Sequence, residues 1–174
     1  GRFDAGWDQL REERLQRMRD MGLLDTAWPL TPRDPTQPPW TDAPNKDWEA
    51  RRMEVYAAQI DRMDQGIGRI IAALEATGAI DNTLILFLAD NGACAEEIDF
   101  EQWVERGTFL AGTTHTRQGT PVRMNNRPDI MPGAEDTYQS YGVPWANLSN
   151  TPFREYKHWV HEGGIATPLI AHWP

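Results

Sequence analysis

The sequence has little cysteine, no long apolar run and fewer basic than acidic residues. Its 174 residues include one cysteine, Cys94, which excludes an intrachain disulfide framework and a zinc site built from several cysteines. No run approaches the ~18 consecutive apolar residues of a transmembrane helix, so we expect no membrane partner. The 17 Lys and Arg face 26 Asp and Glu, a net charge of −9, which disfavours nucleic acid as a partner because phosphate binding depends on basic side chains.

Tryptophan and proline, by contrast, are abundant. The chain has 8 Trp and 13 Pro, and many of the prolines fall within residues 28–44. Proline lacks the backbone N–H and fixes φ, so this density excludes a helix or a central strand there. We predict an extended segment that wraps over the surface and is pinned by Trp28 and Trp40.

Two stretches have helical periodicity. Residues 7–21 carry apolar side chains near one face, with Asp4 or Gly6 as a candidate N-cap. Residues 46–77 show the stronger pattern, because their apolar positions step by 3 and 4 and Gly78 follows as a stop signal. Asn45 or Asp47 is the predicted cap of this long helix.

An apolar strand follows the long helix. Residues 83–89 are apolar at every position after Thr83, as in a strand that is buried on both faces. Residues 164–174 predict a turn and a second strand. Between them, residues 96–151 lack regular periodicity, and their aromatic residues favour an ordered, packed excursion. We therefore predict an α/β fold: a partial sheet with flanking helices and a long loop excursion.

The apolar strand ends in Asp90-Asn91-Gly92. Ligands of open α/β sheets bind beyond the carboxyl ends of strands. A carboxylate beside an amide oxygen offers two hard donors suited to Ca²⁺ or Mg²⁺. The same three residues are also a good turn, and on local grounds the turn is the commoner outcome.

A second polar cluster occupies residues 157–164. Lys157 could hold an oxyanion as a compact point charge, and Gly163-Gly164 permits close approach of a ligand to the backbone. His158 and His161 would share a face only if the segment were helical. A surface turn with scattered polar residues is the competing interpretation.

Taken in order, these motifs resemble the formylglycine-dependent sulfatases of the alkaline phosphatase superfamily. The resemblance covers nearly all 174 residues. Its main segments are Gly1-Arg2-Phe3-Asp4-Ala5-Gly6-Trp7-Asp8, Leu88-Ala89-Asp90-Asn91-Gly92, Asn150-Thr151-Pro152-Phe153-Arg154-Glu155-Tyr156-Lys157 and His161-Glu162-Gly163-Gly164-Ile165-Ala166-Thr167-Pro168.

The resemblance implies hydrolysis of a sulfate ester, carried by a small molecule or a sulfated glycan. It implies that Asp90 and Asn91 ligate a divalent cation, usually calcium. It also implies that Lys157, five residues before Glu162, contacts the sulfate.

The chain departs from the family pattern at the nucleophile. The family makes formylglycine from Cys or Ser in a Cys/Ser-x-Pro-x-Arg motif, and neither Cys94 nor any serine here lies in one. The early Asp pair that completes the metal shell is also missing. We therefore expect residues 1–174 to be a fragment of one sulfatase catalytic domain, without its N-terminal, nucleophile-bearing part.

Two expectations follow for the fragment. It should be inactive alone, because it holds no nucleophile. It should self-associate, because its apolar strand lacks sheet neighbours. The alternatives for the whole protein are a phosphodiesterase or phosphonate monoester hydrolase of the same superfamily, a non-catalytic binding remnant, and a plain α/β interaction domain.

Overall fold

The computed structural model describes residues 1–99, 101 and 115–174. Within them the helices are α1 (Gly6–Asp20), α2 (Lys46–Ala76), α3 (Gly142–Ser149) and the single turn α4 (Glu162–Ile165). The strands are β1 (Ile85–Leu88), β2 (Arg123–Met124), β3 (Thr137–Tyr138) and β4 (Leu169–His172). Short 3₁₀ turns cover Trp40–Asp42 and Ile80–Asn82. This mixture confirms the predicted α/β class.

The hydrophobic core is built around tryptophan. Trp7 of α1 and Trp145 of α3 are fully buried, and their ring centroids lie 5.4 Å apart in an edge-on arrangement. Trp40 packs against Trp7 at 4.7 Å, and Phe3 packs against Trp145 at 5.8 Å. Edge-on pairs of this kind add to the stabilisation that burial alone provides. The core therefore joins α1, α3 and the proline-rich segment.

The proline-rich segment lies extended over this core, as predicted. Thr31 N–H donates to the Pro152 carbonyl at 3.1 Å, and Trp40 N–H donates to Asp8 Oδ2 at 2.8 Å. Trp28, at the other end, packs against Phe153 with centroids 5.7 Å apart. The two predicted tryptophan anchors are confirmed.

Both long helices form close to their predicted bounds, and the predicted Asn45 is the N-cap of α2, whereas neither Asp4 nor Gly6 is the N-cap of α1. Ala5 occupies the N-cap position of α1, and Asn45 that of α2; neither donates or accepts a side-chain capping bond. Gly78 ends α2 with φ of +70°. Only the first two turns of α2 are buried, so the apolar stripe at Ile60, Met63 and Ile70 faces solvent in this chain.

Helix α3 corrects one sequence interpretation. Its eight residues fall within the stretch expected to lack regular structure. Most of them are buried, so the helix has no polar face and therefore no amphipathic period to detect. Tyr141 and Trp145 pack in the core as expected of the excursion, whereas Trp103 and Phe109 lie outside the described residues.

Strand β1 pairs with β4 in an antiparallel ladder, with Leu86 opposite Ala171 and Leu88 opposite Leu169. The expected burial is not realised within this chain, since Leu88 and Leu169 are 59% and 64% exposed. In the described residues the sheet order is β1-β4, with β2-β3 as a separate parallel pair. The ladder is therefore a two-stranded piece of sheet without covering layers.

No helix among the described residues combines the length and the hydropathy that a bilayer crossing needs.

Candidate functional site

The carboxyl end of β1 carries the predicted metal-ligating pair. Asp90 is exposed and Asn91 half-buried, two and three residues beyond Leu88, the last residue of β1. Thr167 Oγ1 donates to the Ala89 carbonyl at 2.9 Å and ties this end to the segment that leads into β4. The pair thus lies at the edge of the ladder, where a sheet of this class presents ligands.

Gly92 lets the strand end and the segment around Lys157 approach to backbone contact. Gly92 N–H donates to the Gly164 carbonyl at 2.9 Å. A Cβ on Gly92 would lie 1.7 Å from the Gly163 carbonyl oxygen, so a side chain there would force the two segments apart. A Cβ on Gly164 would lie 2.0 Å from the Trp159 carbonyl oxygen, so a side chain there would instead distort the turn formed by residues 157–164.

Lys157 is held beside the strand end by its own backbone. Its N–H donates to the Ala93 carbonyl at 3.1 Å. The structure therefore brings Asp90 and Asn91 to the same edge as Lys157, although more than sixty residues separate them in sequence.

Sequence reasoning missed Asn150, which joins these segments. Its Oδ1 accepts from Ala93 N–H at 2.9 Å, and its Nδ2 donates to the carbonyls of Glu155 and Gly163, both at 2.7 Å. The core helix α3 ends one residue earlier, so Asn150 is presented from a packed element. No local sequence signal marked Asn150, because the helix before it was not itself predicted.

Glu96 is the second residue that sequence reasoning missed. Its carboxylate lies 3.1 Å from Lys157 Nζ and 2.8 Å from His158 Nε2. The hydrogen bond with His158, reinforced by that with Lys157, lowers the pKa of Glu96 to about 2. The same carboxylate raises the pKa of Lys157. Both groups are therefore charged at neutral pH.

The two histidines do not share a helical face. His158 has φ of +80° and lies in a turn, while His161 precedes α4 in extended conformation. Cys94 is half-buried, and its Sγ lies 3.4 Å from Glu96 Oε2.

The donor chemistry of the strand end fits a hard cation, but the set is small. Asp90 supplies a carboxylate and Asn91 an amide oxygen, the donor types that Ca²⁺ prefers. Ca²⁺ takes six to eight oxygens, and the described part of the chain holds no group of three or more His, Cys, Asp or Glu side chains arranged around a common point. Asp90 and Asn91 thus fit as part of a shell.

Comparisons with known proteins identify the family of the chain. A family model described as Sulfatase matches residues 8–174. The chain is 32% identical over its whole length to an uncharacterized sulfatase of Schizosaccharomyces pombe and 31% identical to an arylsulfatase of Klebsiella aerogenes. It is also 27% identical, over 68% of its length, to the steryl-sulfatase of Mus musculus.

The chain spans only part of these relatives. It covers 30% of the S. pombe protein, 35% of the K. aerogenes protein and 12% of the mouse protein. A family model that matches nearly every residue, together with full-length identity above 30%, nevertheless leaves no doubt about ancestry: the chain belongs to the sulfatase family.

Proposed function

We propose that this chain is part of a sulfuric ester hydrolase of the arylsulfatase type. The observation that carries the proposal is the backbone junction of Gly92, Ala93 and Asn150 with residues 157–164, which brings the segment that carries Lys157 to the segment that carries Asp90 and Asn91. A sulfate ester is an anion whose oxygens gain charge during hydrolysis. Cationic groups placed in advance stabilise that charge without reorganising.

In this proposal each residue has one task. Asp90 and Asn91 supply two ligands of a calcium ion, which when bound would neutralise charge on the sulfuryl oxygens. Lys157 presents its ammonium to another sulfuryl oxygen. Gly163 and Gly164 shape the turn that brings Lys157 to the strand end. The formylglycine nucleophile and the remaining metal ligands would come from a segment that residues 1–174 do not include, so these residues alone would form only part of the catalytic domain.

The proposal is tested by comparing ester classes in the full-length protein that contains this chain. We expect 4-nitrophenyl sulfate to be hydrolysed with a higher kcat/KM than bis(4-nitrophenyl) phosphate or a phosphonate monoester. The 174-residue chain, assayed in parallel, should give no turnover, since it carries no nucleophile motif.

Each other outcome has a definite meaning. A preference for the phosphodiester or the phosphonate would replace sulfatase activity with one of these related activities. Mass spectrometry should first establish that the formylglycine aldehyde is present. Absence of turnover in a protein that carries the aldehyde would instead favour a binding role.

We further propose that the chain self-associates through the β1–β4 ladder. Both edges and both faces of this pair lack covering elements within the described residues, and its apolar side chains are exposed. We expect sedimentation velocity of the isolated chain to give species larger than its 19.8 kDa monomer.

Substitutions on the ladder should reduce this association. Leu88 and Leu169 are cross-strand partners, so Leu88→Lys with Leu169→Lys places two charges on one face. Val160→Lys is the matched control, because Val160 is 91% exposed but lies outside the ladder. A wild-type chain that stays monomeric over a hundredfold concentration range would refute the proposal.

A further inference from the structure

Lys157 shares its carboxylate partner with its own neighbour in sequence. Glu96 contacts Lys157 Nζ through Oε2 and His158 Nε2 through Oε1. Successive side chains of an extended backbone diverge, so two neighbours rarely reach one carboxylate. The positive φ of His158 breaks that alternation and turns both side chains toward Glu96. Such a backbone conformation is sparsely populated and persists where the surroundings hold it.

The backbone at Glu96 is held by hydrogen bonds. Its carbonyl accepts from Ser140 Oγ at 2.6 Å, and Ser140 N–H donates to Asn126 Oδ1 at 3.0 Å. Two residues further along, the Ile98 carbonyl accepts from Asn126 N–H at 3.0 Å. The backbone around Glu96 is therefore tied to the long excursion at two points.

The residue after Glu96 is anchored to the core. Arg52 of α2, only 6% exposed, bonds Glu97 Oε2 through Nη1 at 3.4 Å. Val143 N–H of α3 donates to Glu97 Oε1 at 3.3 Å. A four-carbon lysine side chain has many rotamers. The backbone that carries Glu96, by contrast, is fixed through its neighbour Glu97 by contacts with α2 and α3.

We propose that Glu96, with His158 as its second partner, is the positioning residue that aims Lys157 at the sulfate. The inference rests on the proposed function. An ammonium has three N–H donors; one is engaged by Glu96, which leaves two for sulfuryl oxygens. Fixing one bond in advance removes the rotational freedom that an unpaired Lys157 would lose on binding.

The charged and titratable groups that face Lys157 are few among the described residues. Glu96 and Cys94 lie on the segment after β1, and His158 is its neighbour. The bond with Glu96 raises the pKa of Lys157, so removal of this carboxylate should lower it. That shift distinguishes positioning of Lys157 from a general structural role.

The test compares Glu96→Ala, Glu96→Gln and Glu96→Asp in the full-length protein, with 4-nitrophenyl sulfate as substrate. We expect Glu96→Ala to lower kcat/KM by about 10²-fold, the scale of a misplaced group. The alkaline limb of the pH profile should move to lower pH in the Ala and Gln variants. Glu96→Asp, which keeps the charge, should return the limb toward its wild-type position.

The control variant removes an ion pair that is not in contact with Lys157. Arg127 and Asp129 form an exposed pair at 2.7 Å that does not contact Lys157, so Asp129→Asn should leave kcat/KM and the pH profile unchanged. An unchanged Glu96→Ala variant would overturn the proposal. So would a lower KM or inhibition constant for inorganic sulfate in Glu96→Gln, since that result would make Glu96 a competitor of the sulfate.

A second measurement separates this proposal from the function it rests on. If the wild-type protein hydrolyses no sulfate ester, the proposed function fails. The Lys157 pKa can still be followed by NMR of ¹³C-methylated lysines, with the Lys157 signal assigned by its loss in Lys157→Arg. A pKa that does not fall in Glu96→Gln would overturn the positioning role.

Discussion

Replacing Lys157 with alanine should lower kcat for 4-nitrophenyl sulfate by about 10²–10³-fold in the full-length protein, the scale measured when one preorganised charge-stabilising group is removed. Lys157 lies on the segment that the junction brings to the strand end, where its backbone N–H donates to the Ala93 carbonyl. Its loss leaves developing charge on a sulfuryl oxygen without a protein partner. Steady-state kinetics of the purified variant measures the effect directly.

The loss should not be a consequence of unfolding. Glu96 is 48% exposed and Lys157 26%, and ion pairs at such exposure contribute about 0–1 kcal/mol to stability. The midpoint of thermal unfolding should therefore stay close to that of the wild-type protein. A variant with wild-type kcat, or one that has lost its fold, would contradict the assigned role.

Lys46→Ala provides a matched control. Lys46 is the only other lysine in the chain. It donates to the Thr41 carbonyl at 2.8 Å, near Trp40 and remote in sequence from the junction. Its removal should leave kcat unchanged. Lys157→Arg should recover only part of the activity, because a planar guanidinium presents its donors in a different geometry from a compact ammonium.

The parts of the fold that could be predicted from sequence are those that local chemistry determines. The apolar steps of 3 and 4 fixed α2 to within a residue at each end, and Gly78 marked its stop. Proline density excluded an α-helix and a central strand from residues 28–44, and only the short 3₁₀ turn Trp40–Asp42 forms there. The apolar run of residues 83–89 located β1, although the strand itself is shorter.

Burial was less predictable because it depends on partners. The sequence of β1 is typical of a strand covered on both sides, yet Leu88 is exposed in this chain. Apolar periodicity identifies the face of an element that is suited to burial, but it does not show which element covers that face. Helix α3 was not predicted for the opposite reason. Most of its residues are buried, so its sequence shows no alternation of apolar and polar residues at the helical period.

In the candidate site, too, some residues could be proposed from local sequence and others could not. Asp90, Asn91 and Lys157 were candidates because short motifs around them resemble those of a known family, and the structure places their segments together. Asn150 and Glu96 were missed because their partners are distant in sequence: Asn150 bonds Ala93, and Glu96 bonds His158. No local pattern distinguishes an asparagine or a glutamate that makes such contacts from one that faces solvent.

Gly92→Ala should be the most damaging small substitution at the site. The added Cβ would lie 1.7 Å from the Gly163 carbonyl oxygen and 3.2 Å from the Gly164 Cα, both backbone atoms that cannot swing aside. The strand end and the turn must separate, which breaks the Gly92–Gly164 hydrogen bond. We expect a loss of about 1–3 kcal/mol in the free energy of unfolding, as for overpacked interiors, measured by chemical denaturation.

A Gly→Ala substitution at a glycine with open space around it should change the free energy of unfolding in the opposite direction. Gly68 lies within α2 and has no atom within 4 Å of an added Cβ. Gly68→Ala should therefore raise the free energy of unfolding by roughly 0.5–1 kcal/mol, because alanine loses less backbone entropy in a helix. Opposite signs for the two variants would assign the Gly92 effect to the close approach rather than to the loss of a glycine. If Gly92→Ala instead stayed within about 0.5 kcal/mol of the wild-type protein, the range of an ordinary surface change, the two segments would not be in backbone contact, and the junction that sets Lys157 beside Asp90 and Asn91 would lose its physical basis.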